Sequence, residues 1–78
     1  MTLRNMLRKI KACHPDRVIG FELGQMVEFF DDDAVYVGRV LSTETRKVID
    51  SDGGFVCRVA ALRQEVEEKI DNLLILSE

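Results

Sequence analysis

A chain of 78 residues, 46% hydrophobic and 32% charged, has room for one domain and no second core. Its formal charge of −3 argues against a general nucleic-acid binder, for which a basic surface is expected. Two cysteines allow one disulfide at most and form no spaced framework, so reduced thiols and a cytoplasmic setting are expected.

Charges interrupt every short apolar run in Met1 to Lys9. That pattern is not a signal-peptide core, and no stretch is apolar for long enough to span a bilayer. The charge is unevenly spread. Residues 1–20 balance to +4, residues 21–59 to −4 and residues 60–78 to −3. A basic head on an acidic body suits either a local anionic contact or head-to-body pairing between copies of the chain.

Thr2 is placed to cap a helix, and Leu3, Met6, Leu7 and Ile10 follow at i, i+3, i+4 and i+7. Arg4, Arg8, Lys9 and Lys11 lie off that stripe, so a basic amphipathic helix is expected over residues 1–14. His14-Pro15 ends it, because the residue before proline is pushed out of the helical region. Residues 16–23 read as a connection with a short extended piece.

Gln25 to Phe30 reads as a strand with Val27 and Phe29 on one face. Asp31-Asp32-Asp33 is expected to turn the chain, and Val35 to Leu41, rich in β-branched and aromatic residues, to form a second strand bent at Gly38. Arg46 to Asp50 follows as a charged edge strand. Ser51-Asp52-Gly53-Gly54 is the strongest turn signal, because Asp-Gly supplies the positive φ of a tight hairpin, and Phe55 to Val59 makes a fourth strand.

From Ala60 the period changes to 3.6. Leu62, Val66, Ile70, Leu73 and Leu74 line one side, which predicts an acidic amphipathic helix over residues 61–76. Leu73 to Leu76 is apolar nearly all round, so it must fold back on the domain or meet a partner.

The middle of the chain resembles the bacterial SH3-like small barrels of the KOW/Tudor-like kind. Gly24-Gln25-Met26-Val27, Gly38-Arg39-Val40, Val48, Asp52-Gly53-Gly54 and Phe55 to Val59 carry the resemblance, which covers about half of the chain. It implies an α+β protein, mainly β, with a barrel of four or five antiparallel strands over residues 24–60 flanked by the two helices. Residues 18–22 or the C-terminal apolar run are the candidates for a fifth strand. Such barrels bind nucleic acid or peptides.

The residue chemistry points to binding and not to catalysis. The only histidine stands beside a proline, and neither a Gly-x-Ser-x-Gly motif nor a glycine-rich phosphate loop is present, so no enzyme is expected. Cys13, His14 and Cys57 lack the paired spacing of a structural zinc site, and the loop from Asp50 lacks a glycine at the sixth calcium-loop position. No metal or cofactor is expected.

Two functions remain. The leading one is an interaction module or adaptor that self-associates as a homodimer, with Leu62, Val66, Ile70, Leu73, Leu74, Phe30 and Tyr36 as its protein-binding residues. The alternative is a nucleic-acid-binding accessory protein contacting phosphates through Arg4, Arg8, Lys9, Lys11, Arg17 and Arg39.

Overall fold

A computed structural model describes residues 3–49 and 53–77. The α+β class holds. Helix α1 (Leu3–Cys13) leads into strands β1 (Val18–Leu23) and β2 (Met26–Phe30), helix α2 (Asp31–Leu41), strands β3 (Arg46–Ile49) and β4 (Phe55–Leu62), helix α3 (Arg63–Lys69) and strand β5 (Leu73–Leu76).

The strands form an open sheet in the order β3-β4-β2-β1-β5, in place of the barrel that the resemblance implies. Four of them pair antiparallel, while β5 runs parallel to β1 from Val18↔Leu73 to Phe21↔Leu76. Both segments considered for a fifth strand, the connection after Pro15 and the C-terminal apolar run, are therefore in the sheet. β5 is reached only by way of α3, because a parallel neighbour needs a crossover.

Residues 35–41, expected as a strand, are helical. Three acids occupy the first turn of α2, where the helix dipole favours negative charge, and Ala34, Val37 and Gly38 share its buried side. Asp31 turns the chain from β2 straight into α2 with a φ of 52°, a conformation aspartate tolerates. Ser42 closes the helix in the left-handed region, and the Thr43 N–H donates to Gly38 O at 2.9 Å.

The helix expected over 61–76 is also shorter. It stops at Lys69, and Asn72 fixes the turn that follows. The Val18 N–H donates to Asn72 O at 2.9 Å, and Asn72 Nδ2 donates to Asp16 O at 2.8 Å. Those bonds set β5 beside β1. Asp50, expected to end the third strand, and Ser51 and Asp52, which open the expected tight turn, lie outside the described residues, and Gly53 after them has a φ of 85°.

The core lies between one face of the sheet and helices α2 and α3. Val18, Val27, Phe29, Val59 and Ala61 meet Ala34, Val37, Val66 and Ile70, with Leu73 and Ile75 at the margin. Alternation puts Ile19, Phe21, Leu23, Met26, Glu28, Phe30, Arg58, Ala60 and Leu62 on the second face. α1 is tied to the sheet where α2 begins. Lys11 Nζ donates to Asp33 Oδ1 at 3.0 Å and to the Arg17 carbonyl, while the Ile19 N–H donates to Asp33 Oδ2 at 3.1 Å. One carboxylate thus joins α1, β1 and α2.

Candidate nucleic-acid interface

The second face has its most exposed apolar surface at the β1–β2 hairpin. Leu23 pairs with Met26, leaving Gly24-Gln25 as a two-residue turn. Gly24 has a φ of 61° and Gln25 does not share the positive sign, the pattern of a type II′ turn, which demands glycine first. Met26 in turn pairs with Leu62 on β4. Leu23, Met26 and Leu62 therefore form one row across three strands. Leu23 is 54% exposed and Leu62 48%, with Met26 half-buried between them.

Short secondary-structure contacts hold this row in place. The Arg63 N–H, at the start of α3, donates to Gln25 O at 2.9 Å. The Arg63 guanidinium donates to Glu67 at 2.6 Å and lies 3.6 Å from Glu22. The Glu67 bond and charge raise the Arg63 pKa above its ordinary value, desolvation opposes them, and Glu22 adds to the rise. The hairpin tip is thus clamped to α3 by one backbone bond and one shared cation.

Further along the face, Phe21 and Phe30 meet edge to face with centroids 5.8 Å apart. Arg58 donates to Glu28 from β4 to β2. Phe30 also lines a cavity of about 450 Å³ with Leu7, Ile19, Val35 and Cys57, rimmed by Arg8, Lys11 and Asp31 to Asp33. Cys13 is an exposed free thiol and Cys57 a half-buried one. Among the described residues, no group of three His, Cys, Asp or Glu is arranged to hold a metal ion, and no helix is long and apolar enough to cross a membrane.

The residues expected to bind protein are scattered. Val66 and Ile70 are 0% and 3% exposed, and they close this chain's own core instead of offering a stripe to a partner. Leu73 and Leu74 are half-buried in β5, on opposite faces of the sheet. Tyr36 is exposed on α2, and Phe30 is half-buried at the opposite end of β2 from Met26, the partner of Leu62.

The expected phosphate contacts fare similarly. Arg8, Lys9, Arg17 and Arg39 are exposed on three different segments, and Lys11 is engaged by Asp33. The Arg4 side chain lies outside the described residues. Leu23 was missed as a candidate, because its partnership with Met26 and Leu62 depends on strand pairing and not on spacing in the chain.

The family model of MutS domain I matches residues 3–75, nearly the whole chain. The chain belongs to the MutS domain I family. A comparison with curated proteins found no match. Membership of MutS domain I favours a nucleic-acid-related role over self-association.

Proposed function

We propose that this MutS domain I contacts duplex DNA and serves in the recognition of mismatched base pairs, the role of its family. It acts by binding, with no bond made or broken. The observation that carries the reading is the exposed row of Leu23, Met26 and Leu62 on a clamped hairpin. Leucine and methionine are among the residues that proteins insert between base steps, where they unstack and kink the duplex. Opening the stack costs least at a mismatched base, so an apolar row on a rigid tip distinguishes a defect without reading its sequence.

The charge is consistent with that division of labour. At −3 overall, the chain gains little from indiscriminate attraction to phosphates, and selectivity falls to the apolar contact. The test is fluorescence anisotropy of the full chain on a 20-base-pair duplex, roughly two helical turns, with and without one mismatch. The Leu23→Asp, Leu62→Asp variant should bind the mismatched duplex about tenfold or more weakly, since each leucine has about 1 kcal/mol of burial still to gain. Both positions are exposed, so the circular dichroism spectrum should stay that of the parent. Equal affinities in parent and variant would sink the proposal.

A further inference from the structure

Resting on the reading just given, we infer that Arg46 and Arg58 form a seat for one backbone phosphodiester on the same face as the apolar row. The two arginines are register partners on β3 and β4. Like charges placed directly opposite across an antiparallel pair repel, and a fold with no use for them avoids the arrangement. Here it is kept. Glu28 neutralises Arg58 from the far side, but among the described residues Arg46 has no ion pair.

The two arginines line a cleft of about 300 Å³ together with Thr43, Glu44 and Ala60. An oxyanion beside Arg46 supplies the counter-charge that Glu28 already gives Arg58, and arginine's fork of donors suits two phosphate oxygens at once. Thr43, which lines the same cleft, brings a hydroxyl able to donate as well. Glu44 stands on the rim and is exposed, so its carboxylate lowers the affinity of the seat without filling it. The Glu28 pair holds Arg58 in position and leaves Arg46 as the cation that meets the ligand.

Placement ties the seat to the row. Arg58, Ala60 and Leu62 alternate onto one face of β4, so the seat lies four residues, about 13 Å, from Leu62. At about 3.4 Å per step along one strand, that is roughly four base-pair steps. A duplex whose bases meet Leu23, Met26 and Leu62 carries a phosphate over Arg46 and Arg58.

The test uses the full chain in two assays. In duplex titrations over a range of salt, Arg46→Gln should weaken binding several-fold at low salt and reduce the log–log salt slope by about 0.9, one phosphate's share. Glu44→Gln should tighten binding, and Arg39→Gln, on α2, should leave the slope alone. In the second assay, dimethyl phosphate is titrated and the arginine Nε–H signals are followed by NMR. Arg46 and Arg58 should shift in the parent and Arg58 should not in Arg46→Gln.

A parent-like slope in Arg46→Gln, with no arginine shift, overturns the seat and leaves the apolar reading standing. Arginine shifts in a parent that binds no duplex sustain the seat and overturn the duplex reading. Failure of both assays in the parent overturns both.

Discussion

Replacing Gly20 with alanine tests how closely β1 is fitted against the core. Gly20 is buried on β1, and a Cβ built there falls 2.4 Å from Val27 Cγ1 and 2.9 Å from Phe29 Cε1. Both neighbours are 0% exposed, so neither has free space into which to withdraw. Overpacking of this kind costs about 1–3 kcal/mol. For a domain of this size each kcal/mol lowers Tm by about 4–8 °C, so Gly20→Ala should melt roughly 4–24 °C below the parent.

A double-mutant cycle isolates the cause. Val27→Ala removes the closest clashing methyl, so Gly20→Ala with Val27→Ala should be less destabilised than the sum of the single changes by about 1 kcal/mol. Thermal melts followed by circular dichroism would measure all four proteins. A Gly20→Ala melt within 2 °C of the parent, or about that, or a strictly additive cycle, would refute the close fit of β1 on β2. The fit matters to function, because Val27 is flanked by Met26 and Glu28, and displacing β2 moves the apolar row.

Three further perturbations follow. Ser42→Gly should raise stability by about 1 kcal/mol in urea titration, because Ser42 holds a φ of 54° that costs a residue with a Cβ and not glycine. Asp33→Ala should cost about 1–3 kcal/mol and speed amide exchange in α1, since it strips the Ile19 N–H of its acceptor and Lys11 of its carboxylate partner at once, leaving Lys11 the Arg17 carbonyl alone. Ile70→Glu should unfold the chain and not merely dissociate it, because Ile70 is 3% exposed and a lone carboxylate there would be buried without a partner; a folded monomer by circular dichroism and light scattering would contradict this.

Local signals in the sequence carried much of the fold. The stripe of Met6, Leu7 and Ile10 and the alternation of Val27 and Phe29 each depend on near neighbours, and each is found where the spacing puts it. Val35 to Leu41 misled because its β-branched residues favour strands, while the signals for α2 were the three acids before it and Ala34, Val37, Gly38 and Leu41 at helical spacing. β5 was hidden for a different reason. Leu73 to Leu76 continues the helical stripe of α3 on paper, and only the distant bonds from Val18 and Asn72 to each other's segments turn it into a strand.

The site was less legible than the fold. Leu62 drew attention as part of a supposed helical stripe, and Leu23 and Met26 drew none. Their meeting is a product of two strand registers, β1 on β2 and β2 on β4, which a single sequence does not fix. The charge signal pointed to α1, whose Lys11 is used for holding the fold, while Arg46 and Arg58 become neighbours only when β3 pairs with β4.

The most direct measurement of the central claim is an amide and methyl NMR titration of the full chain with a duplex bearing one mismatch. Binding through the apolar row predicts that the largest shifts fall on Phe21 to Met26 and Ala60 to Arg63, with the Leu23, Met26 and Leu62 methyl groups moving most. Shifts confined to the outer face of α3, to β5 or to α1, with those methyl groups unmoved at saturation, would contradict it.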